Sequence, residues 1–84
     1  MQCNTLIGVR MDNRVANALH FQETLTKNGC VIKTRLGLHE VDETSCANYG
    51  IIVLQPCGTL AEVERLTAEL NALDGVTAKW MDLN

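Results

Sequence analysis

Aromatic side chains are almost missing from this chain, with one phenylalanine, one tyrosine and one tryptophan in 84 residues. Sheet-based RNA-binding modules stack bases on aromatics of their central strands. Here the corresponding positions hold Leu6, Gly8, Ile52 and Leu54. A basic excess is missing too: the net charge of −3 gives no general attraction to nucleic acid. No apolar run approaches the roughly 18 residues of a membrane span. No basic stretch leads into an apolar one at the start, as a secretory signal requires. The expectation is a cytoplasmic protein with no nucleic-acid and no membrane partner. The four cysteines, at positions 3, 30, 46 and 57, form no C-x-x-C pair. They are read as reduced thiols, since a cytosolic chain with a plausible core does not need disulfides. Enzyme machinery is equally sparse, with no glycine-rich phosphate loop, no nucleophile elbow and no spaced pair of catalytic histidines.

What the chain does have is Ile51-Ile52-Val53-Leu54, four consecutive apolar residues that predict a strand with no wet face. Residues 3–11 alternate with period two, placing Cys3, Thr5, Ile7, Val9 and Met11 on one face of a first strand. Asp12 or Asn13 can cap a helix to about Lys27, with Val15, Ala18, Leu19, Gln22 and Leu25 as its stripe and Phe21 at the margin. Asn28-Gly29 ends it, the glycine taking a left-handed conformation. Residues 30–38 form a second strand, with Cys30, Ile32, Thr34, Leu36 and Leu38 on one face and Val31, Lys33, Arg35 and Gly37 on the other. The acidic segment 39–45 makes a hairpin, and Pro56-Cys57-Gly58 closes the central strand. Thr59 and Glu62 fit a capping box for a helix carrying Leu60, Val63, Leu66, Leu70 and Leu73, stopped by Asp74-Gly75. A last strand runs from Val76 to Leu83. The order is βαββαβ, a ferredoxin-like α+β domain spanning 1–84. Its four antiparallel strands lie in the order 4-1-3-2, with two helices on one face.

That topology gathers residues scattered along the chain. Cys3, Cys30 and Cys57 should meet at one end of the sheet, either as a thiolate metal or redox site or, as we read them, as small buried hydrophobes. At the other end His39 and Cys46 flank Glu40, Asp42 and Glu43, a donor set suited to a transition metal or simply a solvated turn. The face away from the helices should carry Arg10, Lys33, Arg35 and Lys79 beside Gly8, Gly37 and Gly50, an arrangement open to an anion or RNA. Leu6, Gly8, Ile52 and Leu54 on that bare face point instead to sheet-to-sheet contact with a second subunit, hence a homo-oligomer. Acylphosphatases share the fold, but their glycine-rich anion loop is replaced here by Met11-Asp12-Asn13-Arg14, where Asp12 would repel a phosphate. A hydrolase therefore stays a remote alternative, behind a metal sensor built on His39 and Cys46.

Ile7-Gly8-Val9 with Asp12-Asn13-Arg14, Arg35-Leu36-Gly37-Leu38, and Leu73-Asp74-Gly75-Val76 together resemble the small free-standing ACT-like regulators of the iron-only hydrogenase system. These are related in shape to the C-terminal domain of the nickel-responsive regulator. The resemblance runs over essentially the whole chain and is most specific at Arg35 to Leu38. His39 and Asp74 stand where that family often has proline. The resemblance implies a non-enzymatic, oligomeric regulatory or ligand-sensing module. Its small-molecule ligand would bind at a subunit interface near the first strand–helix turn. It points to Met11, Asp12 and Asn13, with Arg35 and Gly37 carried over from the motif. The nickel-regulator likeness adds weight to His39 and Cys46.

Overall fold

The computed structural model describes residues 3–12, 14–41 and 46–84, with side chains at all of these except 14–18, 38–41 and 46–49. The elements follow the expected order: β1 (Thr5–Asp12), α1 (Arg14–Lys27), β2 (Ile32–Val41), β3 (Cys46–Pro56), α2 (Leu60–Asn71) and β4 (Val76–Asp82). The strands pair antiparallel in the order β2-β3-β1-β4, the expected order read from its other edge. This is a four-stranded α+β fold of the ferredoxin-like kind. Ile7, Val9 and Met11 of β1, Phe21 and Leu25 of α1, Ile52 and Leu54 of β3, Val63, Leu66 and Leu70 of α2, and Val76 and Ala78 of β4 form one buried cluster. Both helices therefore cover the same side of the sheet.

The faces of β1 are as its alternation requires, with Thr5, Ile7, Val9 and Met11 buried. Strand β3 corrects the expected orientation. Ile7 pairs with Leu54 and Val9 with Ile52, and residues directly paired in a sheet share a face. Ile52 and Leu54 thus lie in the core, and Gly50, paired with Met11, is also buried. An uninterrupted apolar run offers no alternation, so its orientation is decided by what β1 places opposite it.

A second correction concerns β2. Ile32 pairs with Pro56, but Thr34 pairs with Gln55 and Arg35 with Leu54, so the register shifts between Ile32 and Thr34. A bulge of this kind sets two residues against one and reverses the faces of everything after it. Arg35 and Gly37, paired with Leu54 and Ile52, fall on the helix side, while Leu36, paired with Val53, falls on the open side.

Helix α1 is turned relative to expectation. Phe21 and Leu25 are buried, with Asn28 beyond the helix end on the same line, whereas Leu19 is 66% exposed. The helix ends on Asn28 rather than on a left-handed glycine, and Gly75 is the positive-φ glycine, at 72°. The Asn28 amide donates to the Thr24 carbonyl at 2.9 Å and to Glu69 Oε2 on α2 at 2.8 Å. Lys27 Nζ lies 3.6 Å from the same carboxylate. The capping box on α2 is present as expected: Thr59 N–H donates to Glu62 Oε1 at 3.0 Å, and Glu62 N–H donates to Thr59 Oγ1 at 3.2 Å.

Both carboxylates are held below their ordinary range. The Thr59 backbone N–H and then its hydroxyl act on Glu62. The Asn28 amide acts on Glu69, aided by the charges of Lys27 and Arg65 against a partial burial cost. A carboxylate whose pKa falls on folding stabilises the native state above its unfolded pKa, and that stability is lost as pH drops through the folded value. Urea unfolding measured from pH 6 down to pH 3 should therefore show stability falling below about pH 4.5, the ordinary glutamate region. Glu69→Gln should flatten this slope, and an unchanged slope would remove Glu69 from the account.

Strand edges matter for what the sheet can join. Asn71 on α2 accepts the Ala78 N–H at 2.7 Å and donates to the Ala78 carbonyl at 2.9 Å. These bonds occupy the middle of the outer edge of β4, where another strand would otherwise pair. Chain extension at that edge is blocked, which leaves the outer edge of β2 and the open face as the sheet surfaces free to associate.

Candidate interface on the open sheet face

Register builds the open face in rows. One row crosses the sheet as Leu36, Val53, Gly8 and Lys79, the next as Ile51, Arg10 and Thr77, and Leu6 pairs with Met81 at the far end of β1. Leu36 is 54% and Met81 53% exposed, while Leu6, Ile51 and Val53 are half-buried by their neighbours. Antiparallel sheets with one wet face alternate apolar-in and polar-out. Here two outward positions of β3, Ile51 and Val53, are as apolar as the inward ones, with polar Gln55 next along the strand. Gly8 sits among them without a side chain, and with Val9, Arg10, Ile51, Thr77 and Lys79 it lines a shallow depression of about 220 Å³.

The cations stand to one side of this apolar ground. Arg10 Nε lies 3.1 Å from Asp12 Oδ1, and Lys79 is exposed one row away. This is the make-up of a protein contact surface, an apolar centre with charge at its margin. Leu6 and Gly8 therefore lie on the open face, as expected. Ile51, Val53, Leu36 and Met81 stand on that face in place of Ile52 and Leu54. The signal for Ile51 and Val53 was in the same four-residue run and needed only the partner strand to orient it.

The other expected site residues separate. Met11 is 3% exposed and belongs to the core, so it offers a ligand no surface. Asp12 is exposed, ends β1, pairs with Arg10 and donates its backbone N–H to the Gly75 carbonyl at 2.7 Å. Asn13 lies outside the described residues. Arg35 and Gly37 lie on the helix side of β2, not on the open face. His39 pairs with Gly50 and Cys46 with Val41 through their backbones, and both side chains lie outside the described residues. Among the described residues no group of three His, Cys, Asp or Glu side chains could hold a metal ion. No described helix is long and apolar enough to cross a membrane.

The cysteine reading is corrected in two respects, the expected reduced thiols and the expected burial of Cys30. Cys3 and Cys57 do meet at one end of the sheet, but as a disulfide, while Cys30 is exposed and free. The Cys57 N–H donates to the Val31 carbonyl at 2.7 Å, which keeps residue 30 at the same end of the molecule. Topology brought the pair together. The neighbouring starts and ends of β1 and β3 leave their side chains close enough to bond.

No family model and no curated protein matches the chain. Among solved structures, an uncharacterized protein from Thermotoga maritima is similar over 95% of both chains, with a TM-score of 0.77 and 22% sequence identity. At that identity the likeness shows the fold alone: a four-stranded antiparallel sheet covered on one side by two helices.

Proposed function

We propose that this protein is a non-enzymatic regulatory, ligand-sensing module that works as a homo-oligomer, with the open sheet face covered by a second copy of the chain. The observation that carries the reading is the row Leu36–Val53–Gly8 with Ile51, Leu6 and Met81 around it, an apolar surface on the side with no helices. A chain of 84 residues buries only about 60–65% of its unfolded surface by itself, so covering this face adds burial that the fold lacks. Extents of 43 × 22 × 17 Å allow a contact near the roughly 800 Å² per partner of a stable interface. Gly8 lets the facing sheet approach closely.

The likeness of Arg35 to Leu38, and of the other segments, to ACT-like regulators of the iron-only hydrogenase system supports a cytoplasmic regulator in that setting. Light scattering coupled to size exclusion tests the assembly. The expected result is a dimer or larger species at tens of micromolar, with Val53→Glu reducing it to a monomer of unchanged helix and strand content. A wild-type protein that runs as a monomer at that concentration overturns the reading.

A further inference from the structure

The helix side of β2 carries a second surface that the assembly does not use. Helix α1 packs mainly on β1, β3 and α2, leaving edge strand β2 outside its main contacts. After the bulge, Arg35 and Gly37 stand on this uncovered strip two residues apart. Arg35 Nη1 donates to Gln22 Oε1 at 2.8 Å, and its guanidinium carbon lies 5.9 Å from the centroid of the buried Phe21 ring. Both partners are neutral, and among the described residues no carboxylate lies within ion-pair distance of Arg35. Beside it, a side chain built at Gly37 would meet nothing within 4 Å.

An arginine that is tethered by an amide and seated on an aromatic ring is already oriented. Its charge, however, meets no carboxylate among the described residues. Guanidinium offers five N–H donors in a planar fork that matches the oxygens of carboxylate and phosphate, and one of its nitrogens is committed to Gln22. Holding the group in place before binding lowers the ordering cost of capturing an anion. The bare backbone at Gly37 leaves room for the ligand's body along the strand.

We propose that Arg35 and Gly37 form a binding shelf for the oxyanion, carboxylate or phosphate, of a small ligand, with Gln22 and Phe21 positioning the arginine. This rests on the ligand-sensing half of the proposed function and gives that ligand a chemical class. It is independent of assembly, because the shelf and the open face lie on opposite sides of the sheet.

The test is an NMR titration of the full chain with inorganic phosphate in one arm and malonate in the other, with oligomeric state followed in parallel. The expected result is saturable shifts at the amides around Arg35 and Gly37 with at least one probe, the responding arm identifying the ligand's anion as phosphoryl or carboxylate. Arg35→Gln should weaken the effect roughly tenfold or more, as for loss of a charge-assisted hydrogen bond. Gly37→Val should abolish it without loss of fold, because valine suits a strand and its side chain enters open space. Lys33→Gln, an exposed cation on the same strand, should bind within about twofold of wild type, since it removes a solvated charge and no direct hydrogen bond to the ligand. Equal weakening in Lys33→Gln and Arg35→Gln, unimpaired binding in Gly37→Val, or no saturation with either probe at tens of millimolar would each overturn the shelf. An assembly that persists in any of these cases leaves the oligomer reading standing.

Discussion

Leu54→Ala should destabilise the fold by about 2–5 kcal/mol, the cost of a large-to-small change at a closed core site. Leu54 is fully buried, pairs with Ile7, and belongs to the cluster with Phe21, Val63, Leu66 and Leu70. In a domain of this size each kcal/mol moves the melting temperature by roughly 4–8 °C, so a fall of at least about 8 °C is expected. Stabilities near 0.05–0.15 kcal/mol per residue mean that the upper end of that range leaves much of the chain unfolded. The informative control is one residue away. Val53 faces outward, so Val53→Ala should leave the dilute melting temperature within a few degrees (a surface-type change of about 0.5 kcal/mol). Its effect should instead appear as protein concentration rises, since association stabilises by mass action. Ile52→Val, inward again, should cost about 0.5–1.5 kcal/mol at every concentration. If Val53→Ala proves the more damaging substitution in dilute solution, the pairing of Ile7 with Leu54 is wrong, and with it the assignment of faces.

That contrast marks where sequence stops being legible. The order of elements, the capping box at Thr59 and Glu62, the left-handed turn at Gly75 and the faces of β1 all follow from local patterns, because each is set by residues within a turn or two, although α2 itself ends at Asn71, ahead of the expected Asp74-Gly75 stop. The faces of β3 do not. Ile51 to Leu54 satisfy either orientation equally, and the choice lies with a strand some 45 residues earlier, a long-range pairing that no period in β3 encodes. In β2 an alternation is visible, but the bulge near Lys33 reverses it midway. This moves Arg35 from an expected basic sheet face to the side of α1, where Gln22 and Phe21 hold it. Helix α1 misleads for a related reason: its apolar residues do not make a clean stripe, so Phe21 and Leu19 compete, and the core cluster that holds Ile52 and Leu54 takes the aromatic ring. Surface sites thus came out displaced even where the fold did not, since a site depends on which way a side chain faces and a fold mostly on where elements lie.

Breaking the Cys3–Cys57 bridge should lower stability by about 3–4 kcal/mol through the unfolded chain. The bonded residues are separated by 54 positions, and closing a loop of that length removes conformational freedom worth about 4 kcal/mol at 25 °C in the chain-entropy treatment. The native state has little to lose in exchange. Strands β1 and β3 stay paired, Gln55 Nε2 still donates to the Cys3 carbonyl at 2.9 Å, and the Leu83 N–H still donates to the Asn4 carbonyl at 2.7 Å. The thiols released would lie at the same strand ends that the sheet already brings together. Urea unfolding of the Cys3→Ser/Cys57→Ser double variant should therefore show a lower midpoint with secondary structure retained at low denaturant. Wild type with a dithiol reductant should match it, and Cys30→Ser should behave as untreated wild type. Equal midpoints for wild type and the double variant would mean that Cys3 and Cys57 are free thiols in solution, as the reduced-cysteine expectation holds. Disulfides are uncommon in the reducing cytosol, so the reductant arm also tells which of the two stabilities holds in a reducing compartment. If assembly through the open face withstands reduction, the second copy contributes burial that the reduced monomer needs.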